Sequence, residues 1–102
     1  MTYIEELQDA IRHLYNTEAV YVETVPVKEV FQGQTVWEGE VEVFDVPELP
    51  EANRIYAWAH DTDNVDQPRR TVTVLHVAPV LSPELAVRAS ILQDYRNSNE
   101  HH

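Results

Sequence analysis

Residues 55–77 read IYAWAHDTDNVDQPRRTVTVLHV, two apolar runs separated by an acidic loop, each with a histidine near its end. In the first run Tyr56, Trp58 and His60 alternate with Ile55, Ala57 and Ala59. In the second, Val72, Val74 and His76 alternate with Thr73, Leu75 and Val77. A period of two sends successive side chains to opposite faces, so the runs read as two strands, 54–60 and 70–77. Each is apolar on both faces, which argues for central positions in a sheet. His60 adjoins the loop and His76 lies at the far end, on the order of 15 Å away along the ladder at about 3.3 Å per residue. The pair therefore belongs to a hairpin and not to a shared metal site or proton relay. Asp61, Asp63 and Asp66 offer hard oxygen ligands, but Val65 stands where a further ligand is needed and no glutamate closes the loop. The loop reads as an acidic turn held by Asp and Asn side chains.

Upstream, 19–31 and 35–46 read as two more strands joined at Gln32-Gly33, where one of only two glycines supplies a positive φ. A three-residue loop shifts the pairing by one; a two-residue loop sets Val30 opposite Thr35, Val22 opposite Val43 and Thr24 opposite Val41. One face then carries Val20, Val22, Trp37, Val41 and Val43. The other carries Glu23, Glu38, Glu40 and Glu42, with Val25, Val27 and Phe44 among them. Pro26 lacks a ladder donor, so this first strand is an edge or breaks there at a bulge, and Gly39 suggests a second bulge. The stretch 46–53, VPELPEAN, is a loop.

Helices are expected at both ends. Thr2 and Glu5 have capping-box spacing, and Ile4, Leu7, Ile11, Leu14 and Tyr15 form an apolar stripe that should end near Asn16. In SPELAVRASILQDYR, Ser82 is an N-cap and Pro83 sits at the first helical position. Arg88 falls among Leu85, Ala89, Ile91, Leu92 and Tyr95. It either snorkels to water or meets a carboxylate from the sheet, Glu40 or Glu42 if one turns inward, or an anionic ligand. The order α-β-β-β-β-α implies an α+β fold: a four-stranded antiparallel meander with the N- and C-terminal helices packed on one face. The expected domain covers 1–100, with His101 and His102 a tag or tail.

With 102 residues, the chain is sized for one domain. Seven Lys+Arg against eighteen Asp+Glu give a net charge of −11, which opposes binding to nucleic acid or anionic membranes. Such acidity serves solubility, or else a basic partner or mimicry of nucleic acid. There is no cysteine, so no disulfide and no thiolate metal site. MTYIEELQDAI has no basic and then apolar segment, so no secretory signal is expected and the cytoplasm is the default address. Nucleophile elbow, phosphate loop, HExxH and dinucleotide turn are all missing. His13, beside Arg12 and Asn16, reads as a surface residue.

The stretches VFQGQTVWEGEVEVFDV, YAWAH and VLHVAPVLSPELAVRASI resemble small bacterial proteins sharing a Q-G-x-T-V-W-x-G hairpin and an S-P-x-x-A-V-R-A-S-I helix. The resemblance spans Val30 to Ile91 and implies a bacterial, free-standing domain; it carries no activity and no catalytic residue. From the residues themselves, the open aromatic row Tyr56, Trp58 and His60, with His76 and Arg88, is the expected ligand or interface surface. The expected function is that of a non-enzymatic, self-associating domain, a homodimer binding a protein partner or small ligand, with no cofactor and no metal. The alternatives are a small enzyme or ligand carrier with a pocket between helix and sheet, using His76, Tyr56 or Arg88, and an acidic inhibitor that mimics nucleic acid.

Overall fold

Thr2 Oγ1 accepts the Glu5 amide hydrogen and the Glu5 carboxylate accepts that of Thr2, both at 3.1 Å, and this reciprocal cap starts helix α1 (Tyr3–Tyr15). The helix stops at Asn16, whose left-handed backbone (φ 55°) lets its N–H return to the Arg12 carbonyl at 2.9 Å. Four strands follow: β1 (Val20–Phe31), β2 (Gln34–Asp45), β3 (Arg54–Asp61) and β4 (Arg69–Leu75). Ser82 Oγ accepts the Leu85 amide hydrogen at 3.2 Å and opens helix α2 (Pro83–Asn99). These elements come from a computed structural model that describes residues 1–99, so the tail expected at His101 and His102 lies outside the described residues. The strands form one antiparallel sheet in the order β1-β2-β3-β4, the expected meander with a helix at each end.

The β1–β2 register departs from the simple hairpin. Gln32 (φ 51°) and Gly33 (φ 78°) make the two-residue turn, and Val30 does face Thr35. The next pair is Glu29 with Trp37, which leaves Val36 as an extra residue. Thr24 consequently faces Glu42 instead of Val41, and Val25 takes Val41. A second irregularity at Val22 restores the count, whereas Gly39 sits in regular register opposite Val27. Glu38, Glu40 and Glu42 therefore share a face with Lys28, Pro26 and Thr24, and Glu23 is on the other.

The two helices lie on opposite faces, not on one. Leu7 and Ile11 of α1 bury against Phe44, Ile55 and Ala57, the small-residue face of β3. Ala86 and Val87 of α2 bury against Val27, Val41, Val43, Tyr56 and Trp58. Because β3 is apolar on both sides, each side takes its own helix. Adjacent arginines at the start of β4 show the same division. Arg69 reaches Glu6 of α1 through two hydrogen bonds of 2.9 and 3.0 Å, and Arg70 reaches Asp94 of α2 at 2.7 and 3.1 Å. The bulky Tyr56–Trp58 side also sets the rotation of α2. Small Ala86 and Val87 turn inward, and Leu85, Leu92 and Tyr95 turn outward, 36, 55 and 66% exposed.

Candidate functional site

β2 and β3 pair over four rungs only, from Glu42–Ala57 to Asp45–Arg54. The β3–β4 ladder continues to Asp61–Arg69 and the β1–β2 ladder to Phe31–Gln34. Beyond Ala57 the two hairpins diverge and leave an open cleft of about 570 Å³. Tyr3 of α1 enters it and its hydroxyl accepts the Ala59 amide hydrogen at 2.8 Å, a donor that no β2 carbonyl meets. Burial pushes the Tyr3 hydroxyl above its ordinary pKa, with a smaller contribution from Glu42, so it stays protonated at neutral pH.

The cleft combines aromatic and acidic side chains. Trp37 and Trp58 meet edge to face with ring centroids 5.5 Å apart. Gly39 makes room for this pair: a methyl group there would stand 3.1 Å from the Trp37 indole. Glu38, Glu40 and Glu42 line the cleft from β2 and His60 from β3. Glu42 is 4% exposed. Its carboxylate accepts a hydrogen bond from Thr24 Oγ1, and the Tyr21 hydroxyl, 2.5 Å from the same oxygen, donates to it in turn. Among the described residues Glu42 makes no ion pair. Since a buried carboxylate is normally matched by a cation, this one stands on the cleft wall with its counter-charge unsupplied.

The five residues singled out from the sequence fall in three places. Trp58 and His60 belong to the cleft, with His60 exposed and its Nδ1 3.1 Å from the Asp61 carbonyl, to which an N–H there donates. Tyr56 and His76 meet at the other end of the sheet, Tyr56 hydroxyl to His76 Nδ1 at 2.6 Å. Burial pushes the Tyr56 hydroxyl above its ordinary pKa, so the phenol stays protonated at neutral pH. His76 borders a shallow groove of about 520 Å³ in which Arg54 is already paired with Asp45 at 3.1 Å. Arg88 touches neither place. Its Nε donates to Glu29 of β1 at 3.0 Å, so the sheet carboxylate it meets is not Glu40 or Glu42. The aromatic row is not an open surface either, because α2 covers Tyr56 and Trp58 to 2 and 4% exposure.

Sequence reasoning missed Tyr3, Trp37 and Glu42 as members of one site. The available signal was Trp37-x-Gly39, a glycine two places after a tryptophan on the same strand face. In the acidic loop, Asn64 Oδ1 accepts the Asp66 amide hydrogen at 2.8 Å, the asparagine turn read from the sequence, while Thr62 Oγ1 and not an aspartate accepts that of Asn64 at 3.2 Å. Among the described residues no group of three or more His, Asp or Glu side chains is placed to hold a metal ion, and no helix is long and apolar enough to cross a membrane. Comparison of the chain with protein-family models, curated proteins and solved structures gives no match.

Proposed function

We propose that the chain is a non-enzymatic binding domain whose cleft between β2 and β3 takes a cationic side chain from a basic, extended partner segment. The observation that carries this reading is Glu42, a buried carboxylate with no ion pair among the described residues, on the Tyr3 side of a cleft whose other side is lined by Trp37 and Trp58. A guanidinium or ammonium there gains a charge-assisted hydrogen bond and an aromatic face, the latter worth about 0.5–2 kcal/mol. Divergence of the strands supports an extended ligand, since β2 and β3 both turn unpaired edges toward the gap. The net charge of −11 draws a basic partner in by long-range steering. Self-association, expected alongside this binding, needs a surface other than the covered aromatic row.

Trp37 and Trp58 are the only tryptophans, so intrinsic fluorescence reports on the cleft directly. Titration with an arginine-rich peptide should change the emission in a salt-sensitive way, and an acidic peptide should not. Glu42→Gln should weaken the arginine-peptide affinity about tenfold or more, roughly 1.4 kcal/mol or above. Glu51→Gln, the same charge change at an exposed site, should leave it within about twofold, roughly 0.4 kcal/mol. Equal losses in the two variants, or an unchanged spectrum with the basic peptide, overturn the proposal.

A further inference from the structure

The two strand edges that face the gap between β2 and β3 are not equally available. The Val46 amide donates to the Asn53 carbonyl at 3.0 Å, and in an antiparallel ladder the bonded positions recur at every second residue. The pairing of β2 with β1 is regular from Glu38 to Phe44, so Phe44, Glu42, Glu40 and Glu38 all turn their N–H and C=O toward β3. The rungs stop at Glu42–Ala57, and Glu40 and Glu38 point theirs into the cleft. A longer ladder would have set Glu40 against Ala59. Tyr3 takes that place: its hydroxyl accepts the Ala59 amide hydrogen at 2.8 Å and donates to the Ala59 carbonyl at 3.4 Å. The β3 edge is thereby closed at Ala59 and the β2 edge is left open. We infer that a basic segment of a partner protein adds to the sheet as an antiparallel strand on β2, pairing with Glu38 and Glu40 and carrying cationic side chains at alternate positions. This rests on the reading of the cleft as a cation site and specifies the partner that fills it.

Charge decides the occupant. On an added strand the side chains opposite Glu38 and Glu40 lie on the same face as those carboxylates, and a long one reaches Glu42 beside them. Among the described residues only Oε1 of Glu42 accepts a hydrogen bond, from Thr24; Oε2 has no partner, although the residue is 4% exposed and lines the cleft. Lys28 faces Glu38 from β1 and offsets part of the charge, but neither Glu40 nor Glu42 has an ion pair among the described residues. The partner's intervening side chains fall on the other face, beside Trp37, Gly39 and Val41, where uncharged apolar residues fit. A second copy offering its own β2 edge would instead set like charges directly opposite one another, which is destabilising. Antiparallel pairing matches the rest of the sheet and is the slightly stronger ladder per residue.

Two end-blocked peptides of one composition, Arg-Val-Arg-Val-Arg and Arg-Arg-Arg-Val-Val, separate strand addition from charge attraction. In a tryptophan-fluorescence titration the alternating peptide should bind tighter by about tenfold or more. Its arginine amides are the ones that face β2 in this pairing, so N-methylating them should weaken binding by about tenfold, and N-methylating the valine amides by less than about threefold. Hydrogen exchange followed by NMR should show the Glu38 and Glu40 amides slowed by the alternating peptide. The Gly39 amide, which faces Val27 of β1, should be unchanged. Equal affinity for the two peptides, equal effects of the two methylation patterns, or unaltered exchange at Glu38 and Glu40 overturns strand addition while leaving the cleft a cation site. Failure of both peptides to bind overturns the cleft reading and this inference together.

Discussion

The Glu29 side chain is only 11% exposed while that of its partner, Arg88, is 60% exposed. The asymmetry decides what the pair contributes. A fully buried pair would make Arg88→Ala cost 2 kcal/mol or more, roughly the loss set by stranding a buried charge. Here water reaches the guanidinium and screens it, so a smaller loss of about 1 kcal/mol is expected from urea unfolding of Arg88→Ala. Glu29→Gln with Arg88 retained should cost less still, because the amide is cheaper to bury. A loss above about 3 kcal/mol for Arg88→Ala would place the pair in a sealed interior. The sequence marked Arg88 as out of place on its helix and offered a sheet carboxylate as one partner. It pointed to the wrong carboxylate because Glu29 joins the α2 face only after the extra residue at Val36 shifts the ladder.

That same bulge is the main event at the level of elements. Alternation told which residues of β3 share a face, since β3 has no irregularity, and its small face indeed receives a helix. In β1 and β2 a one-residue slip exchanges faces, and no local pattern announces Val36 as the bulged position. The turn itself was legible, and its chemistry leaves room for improvement. Gln32 holds φ 51°, where a side chain other than Asn, Asp or Gly is strained. Gln32→Asn should therefore raise stability by up to about 1 kcal/mol, seen as a higher melting temperature. No gain would mean that the turn has relaxed out of this conformation in solution. The helices were found by capping and period, but the rotation of α2 was not. Its sequence is apolar on two sides, and only the width of the Tyr56–Trp58 layer selects Ala86 and Val87 as the inner residues.

For the whole molecule, stability should fall at both extremes of pH, for different reasons. Hydrogen bonds from Arg69 to Glu6, from Arg12 to Glu18, and within the Thr2–Glu5 cap hold these carboxyls below the usual glutamate range. Such groups stabilise the fold above the unfolded glutamate pKa of about 4.3, and the contribution disappears as pH drops through their lower folded values. Tyr3 and Tyr56 are shifted upward by burial, so their contribution is complete below about pH 10 and disappears as pH rises through their folded values. Melting temperature against pH should be flat between these limits. Tyr56→Phe should flatten the alkaline limb, and an alkaline limb of undiminished slope in that variant would contradict the assignment. The acidic surface adds a general term: a charge of −11 repels itself, and added salt should raise the plateau.

Composition and pattern gave the order of elements and the strand that divides the core, yet the cleft escaped them because it arises where a pairing stops. Eleven rungs join β1 to β2 and seven join β3 to β4, but only four join the two hairpins. This narrow seam makes the sheet a pair of stiff leaves on a short spine. Slow breathing, with loss of amide protection, should concentrate in the diverging ends of the leaves, while the spine, where Val43, Phe44, Ile55, Tyr56 and Ala57 are buried, keeps its bonds longest.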